Sequence, residues 1–188
     1  MTKSILDDGR VAPTAVREPR PFLYLEPARL PCREDSVDAV GRRNLEAAAA
    51  DTVPLLVRSL VDYTIARQNR RALERGNPQP IQLSVLNRRR RAARSWILAI
   101  LQGKVDGATQ HAVATQWIPT LTGTGPDLRR ASGPGRTLVE FVRGAITACL
   151  FDEPAANLLP LAKALFALET VLSVHLAAIV QTARSAAT

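Results

Sequence analysis

Four consecutive arginines, Arg88 to Arg91, run without a break into an apolar segment that stops at Gly103. This stretch limits what the chain can fold into. Val85, Leu86, Ala93, Trp96, Ile97, Ile100 and Leu101 recur at the three-and-four spacing of one helix face. On a helical wheel Arg89 and Arg90 flank that face, while Arg88 and Arg91 point away from it. Charge therefore surrounds the first half of the helix. An apolar core cannot accept that half unless carboxylates pair with it. It is expected to project into water, cross an acidic neighbour, or bind something. The half around Trp96 is expected to be buried, with Asp106 capping the helix that follows Gly103.

The rest of the chain reads as further helices. Aromatic residues make up only 4% of it, so the core must come from Leu, Val, Ile and Ala, and so many alanines favour closely packed helices. Asp35 or Ser36 can cap a first helix to about Ala50. Asp51 or Thr52 caps a second, with Pro54 in its first turn and the stripe Val53, Leu56, Val57, Leu60, Val61, Ile65. That helix turns polar at Arg67 and stops at Gly76, where Asn77 to Pro80 forms a stiff linker. A helix from Asp106 is expected to end at Trp117 or Ile118, before Pro119. Glycines and prolines from Thr120 to Arg136 predict the longest loop, followed by a helix from Thr137 to Phe151. Asp152-Glu153-Pro154 signals another helix start, with a second start near Asn157 and Pro160.

The last helix carries Leu161, Leu165, Leu168, Leu172, Leu176 and Ile179, broadened by Phe166, Val171 and Val174. An arc this wide is buried on more than one side, so this helix is either central to the bundle or a dimer helix. Residues 1–35 read as an arm, because Pro13, Pro19, Pro21, Pro27 and Pro31 recur too often for a helix. Within it Phe22, Leu23, Tyr24 and Leu25 form an apolar patch expected to dock on the domain or on a partner subunit. The expected organisation is an arm over 1–35 and one all-α domain over 36–188, a bundle of five to seven helices.

The net charge of +8 is unevenly placed. Residues 1–35 and 105–188 are each balanced, whereas Asn77 to Lys104 holds six bases and no acid. Such a patch can attract phosphates, anionic lipid heads or an acidic protein. No apolar run near the N-terminus has the form of a signal peptide. Lys163, Glu169 and His175 interrupt the best candidate for a membrane span, so a cytoplasmic protein without membrane insertion is expected.

Catalytic constellations are missing. His175 falls within the last helix's apolar stripe and reads as a hydrogen-bonded core residue, while His111 reads as exposed. With no HExxH and no Cys/His cluster, no metal site and no cofactor are expected. Cys32 and Cys149 belong to no CxxC motif, and Cys149 reads as a small buried hydrophobe. The glycines around Gly133-Pro134-Gly135 precede a helix, but no strand comes before them and no GK[ST] follows, so they read as a surface loop.

The segment Arg94-Ser-Trp96-Ile-Leu-Ala-Ile-Leu101-Gln-Gly103-Lys-Val-Asp106 resembles the helical sensor domains of the globin-coupled sensor and stressosome regulator group. A second likeness is Leu168-Glu169-Thr-Val171-Leu172-Ser-Val-His175-Leu176, similar to the last helix of that group. The resemblance covers about half the chain, from Leu86 to Val180, and implies a globin-like bundle. Haem-binding members place a proximal histidine where this chain has Thr120, directly after Pro119; His111 comes too early, and Trp117 occupies the expected glycine position. The resemblance therefore points to the non-haem regulators, which act through protein contacts.

The leading expectation is a non-enzymatic regulatory module that self-associates and binds a protein partner. Leu165, Leu168, Leu172, Leu176 and Ile179 are the candidate self-association face. Arg88, Arg89, Arg90, Arg91 and Arg94 are the candidate anion or partner site. A nucleic-acid-binding accessory protein using the same arginines is the second reading, and a haem or small-ligand sensor the third.

Overall fold

The computed structural model describes residues 39–76, 80–152 and 158–187. The chain divides into two units, Met1–Cys32 and Arg33–Thr188, and all of the described residues belong to the second. The arm patch Phe22 to Leu25, the caps at Asp35 and Ser36, the linker at 77–79, and the start signals at Glu153, Pro154 and Asn157 lie outside them.

Two turns with opposite consequences frame the fold. After α1 (Ala39–Ala49) a 3-10 turn at Ala50–Thr52 leads directly into α2 (Val53–Glu74), with Pro54 in its first turn. Proline is tolerated there because the first N–H groups of a helix have no intrahelical acceptor. After α3 (Leu83–Leu101) the chain reverses sharply. Gly103 takes φ +64°, its N–H donates to Ile100 O at 3.0 Å, and Lys104 N–H reaches back to Ala99 O at 2.9 Å. This paired closure satisfies carbonyls that the helix end would leave open. Asp106 then caps α4 (Gly107–Ala112), accepting from Thr109 N–H and from the Thr109 hydroxyl, each at 2.8 Å.

The helix does not end before Pro119, as its sequence suggests. It passes through a π-helical turn, Val113–Trp117, into α5 (Ile118–Thr122). Ile118 N–H bonds to Val113 O five residues back. The wider turn accommodates a residue that has no N–H to donate and whose ring would crowd the preceding carbonyls. Gly123, at φ +70°, ends α5.

The expected loop from Thr120 to Arg136 is also shorter than its composition suggests. A 3-10 turn at Leu128–Arg130 leads into α6, which begins at Ser132 and runs to Asp152. Pro134 lies in its first turn, and Gly135 serves packing rather than a bend. A Cβ at Gly135 would lie 3.0 Å from Ile179 Cγ2 and 3.1 Å from Ile118 Cγ2, so glycine lets α6 start close against α5 and α7. Gly41 does the same where α1 crosses α7: a Cβ there would stand 2.7 Å from Lys163 O.

The last helix, α7 (Leu158–Ser185), is the centre of the bundle and packs against α1, α6, the π turn and α3. By length and composition it could cross a membrane, yet in this fold much of it is core, with Leu168, Val171, Leu172 and Ile179 buried. Leu56, Leu60, Val61, Trp96, Ile97, Ile100, Leu138, Val142 and Ile146 complete the same core. Tyr63 of α2 stacks on Phe141 of α6, ring centroids 4.4 Å apart, and Arg143 of α6 pairs with Glu169 of α7 at 2.9 Å. Cys149 is free and half-buried at the edge of this core. Among the described residues there is no strand, and the domain is all-α.

Candidate arginine site on helix α3

The first half of α3 departs from expectation at one residue. Arg88, Arg90, Arg91 and Arg94 are exposed, as a charged half-helix requires, but Arg89 is only 2% exposed. It lies beside the α5 terminus, against α2. Its Nη2 donates to Gln68 Oε1 of α2, while Nε and Nη1 are buried with no partner. No carboxylate pairs with it, which corrects the rule that burial here would need an acid. Three partial compensations make the burial tolerable: the Gln68 acceptor, the negative end of the helical run closed by α5, and the space left by Gly123. A Cβ at Gly123 would lie 3.1 Å from Arg89 Nη2, so any side chain there would press on the guanidinium. Burial lowers the pKa of Arg89 from its ordinary value, yet guanidinium remains charged at neutral pH.

Arg67 extends this basic locus. It is half-buried on α2, and its Nη1 is likewise buried without a partner. A cavity of about 530 Å³ is bordered by Arg67, Arg71 and Arg75 on one side and by Thr122, Gly123 and Pro134 on the other. A second recess, of about 430 Å³, is lined by Arg88 and Arg89 and shares Gly123. No Asp or Glu lines either space. The sequence marked the α3 arginines but missed Arg67, Arg71 and Arg75, which read as the polar end of α2. Their distance from Arg89 along the chain hides that the two groups line spaces on either side of Gly123.

Another flank of α3 faces α2 across a cleft of about 600 Å³. Val53, Val57, Leu98 and Leu101 give it an apolar floor, with Arg58, Arg90 and Arg94 at its rim and Glu46 as its single acid. Arg58 also forms an exposed ion pair with Asp62 at 3.7 Å. Among the described residues, no ion pair involves Arg88, Arg90, Arg91 or Arg94.

The other half of α3 contains a closed polar relay. Trp96 and His175 are both fully buried. Trp96 Nε1–H donates to His175 Nδ1 at 3.3 Å, and His175 Nε2 lies 2.9 Å from Lys104 O, the carbonyl exposed inward by the glycine turn. The acceptor roles of Nδ1 and the carbonyl require the proton on Nε2. Burial pushes His175 down to about 4, against the smaller opposing pulls of the Lys104 carbonyl and Asp106. It is therefore a neutral core residue with both ring nitrogens engaged, as its place in the stripe suggests. His111 is exposed on α4 and Thr120 half-buried on α5, so the chain's two histidines are a sealed core group and a surface group. Among the described residues no three His, Cys, Asp or Glu side chains gather in a metal-holding group.

The candidate self-association residues follow one side of α7. Leu168, Leu172 and Ile179 are buried within the single chain, and Leu165 and Leu176 are half-buried against the same core. The broad arc of α7 packs on α1, α3 and α6. Exposed apolar side chains on α7 are Leu158, Leu159 and Phe166 instead.

No protein-family model, curated protein or solved structure matches this chain.

Proposed function

We propose that this domain is a non-enzymatic interaction module that receives an acidic, partly apolar segment of a partner protein in the α2–α3 cleft. The observation that carries this reading is the pairing of an apolar floor with arginines that form no ion pair among the described residues: Arg90 and Arg94 line the cleft with Leu98, Leu101, Val53 and Val57, against the one acid Glu46. Carboxylates on a bound segment would supply the missing counter-charge, and its apolar side chains would cover the floor. The arrangement agrees with the regulator-like role implied by the sequence resemblance. Haem sensing finds no support: His175 has both nitrogens engaged in the core and His111 faces outward.

Nucleic-acid binding through the same arginines is the competing reading. Trp96, the aromatic nearest them in sequence, is fully buried and offers no platform for a base. The test measures binding of a labelled helical peptide with alternating Glu and Leu faces beside a duplex DNA of equal charge. Binding of the peptide, abolished by Arg90→Glu with Arg94→Glu, is the expected result. Preference for DNA with a steep salt dependence would replace this reading with the nucleic-acid one, and failure to bind either probe would remove both.

A further inference from the structure

We infer that the two spaces flanking Gly123, the cavity between the second half of α2 and the α5–α6 connection and the recess beside the first half of α3, make up a binding locus for a phosphate-sized anion, with half-buried Arg67 lining the first and buried Arg89 the second. This goes beyond partner docking, since it concerns another flank of α3 and a small ligand. The first argument is charge. Arg67, Arg71 and Arg75 border the main space, Arg88 and Arg89 the adjoining one, and no carboxylate lines either. The second is unmet hydrogen bonding. Arg89 Nε and Nη1 and Arg67 Nη1 are buried donors without a protein acceptor. Buried polar groups are nearly always paired, and a guanidinium cannot shed its proton to relieve the cost. The negative helix end at Gly123 offsets part of the charge but leaves those donors unbonded.

Ligand class follows from the donors. Guanidinium forks match oxyanions in bidentate fashion, and donors arriving from α2 and α3 suit an anion with acceptors on several faces. A tetrahedral phosphate has these; a carboxylate presents two oxygens in one plane. Pro134, in the first turn of α6, borders the same cavity, and that turn contains no acid, so the positive end of a 21-residue helix adds to the field. Gly123 borders both spaces, and a side chain there would press on the Arg89 guanidinium, its Cβ 3.1 Å from Nη2. The volume of about 530 Å³ exceeds what phosphate alone needs, so a small phosphate monoester fits the same chemistry as the free ion.

The experiment is thermal unfolding of the full chain titrated with inorganic phosphate, against sodium chloride at equal ionic strength. A saturable rise in Tm of several degrees, above any chloride effect, is expected. Arg67→Gln and Arg89→Met should each weaken the apparent affinity at least about tenfold, the loss expected for one charged hydrogen-bond donor. Arg90→Met, on the other flank, should leave it unchanged. Should Arg89→Met fail to fold, the half-buried Arg67→Gln carries the test. A parallel titration with O-phosphoserine separates sources: an equal or larger response assigns a monoester, and a response to phosphate alone assigns the free ion. Identical melting in phosphate and chloride would overturn the site, as would a phosphate shift that survives in Arg67→Gln.

Discussion

Helix α3 buries a polar side chain or its partner at each end, and the two ends are opposite in kind. Around Trp96 the indole N–H, both imidazole nitrogens and the Lys104 carbonyl are joined in one relay. Around Arg89 a guanidinium is equally enclosed, but two of its nitrogens have no protein acceptor. The first arrangement is complete in itself and its effect is structural: it pins α7 to the turn between α3 and α4. The second is complete only with something added. Burial alone therefore does not separate scaffold from site; the state of the hydrogen bonds does. A satisfied group holds the fold in one arrangement, and an unsatisfied cation in a cavity without acids marks where a ligand's charge would be useful.

This contrast can be broken at either end. The largest effect is expected from Trp96→Ala, which empties a fully buried site and leaves His175 without its donor. A loss of about 3–5 kcal/mol is expected by urea denaturation. Next is acidification. His175 is held near 4 in the fold, below its ordinary value of 6.5, so the unfolded chain takes up a proton before the native one does. The contribution is fully present above pH 6.5 and falls away as pH drops towards 4, by about 3 kcal/mol in total. Unfolding measured at pH 7, 6, 5 and 4.5 checks this, and His175→Gln should flatten the part of the slope that His175 causes.

The opposite sign is expected at the other end. In phosphate-free buffer Arg89→Met should stabilise the domain by about 1–2 kcal/mol, since it removes an unpaired buried charge and keeps much of the side-chain volume. A clear loss of stability would show that the Gln68 bond and the α5 terminus already satisfy the arginine. The smallest effect belongs to the turn that serves the relay. Asp106→Ala removes two hydrogen bonds at the α4 cap and should cost about 1 kcal/mol. Hydrogen exchange at Thr109 should rise with it, while exchange along α7 stays slow.

Several of these features are legible in the sequence. The periodic stripes of α2, α3 and α7, the stop at Gly103, the cap at Asp106 and the core place of His175 all follow from spacing and from residues with narrow backbone or capping preferences. What misled was local chemistry overruled by packing. Pro119 reads as a helix end, but a π turn carries the helix through it. Gly133-Pro134-Gly135 reads as loop, yet Gly135 is a contact point between helices, where a side chain would strike Ile118 and Ile179. A glycine needed for closeness and one needed for a bend look alike in sequence.

The arginine run that limits the chain at the outset shows the same division. Sequence alone determined that α3 is apolar at one end and charged all round at the other, because helical periodicity fixes which residues share a face. It also determined that no acid within that segment could neutralise the charge. Only the tertiary structure decided that Arg89, among four adjacent arginines, turns inward, and that Arg67 from the preceding helix lines a cavity on the other side of Gly123. That choice depends on how α2, α3 and α5 pack, on the room left at Gly123, and on which acceptors happen to be in reach. Those are properties of elements brought together from distant parts of the chain, and no local pattern encodes them.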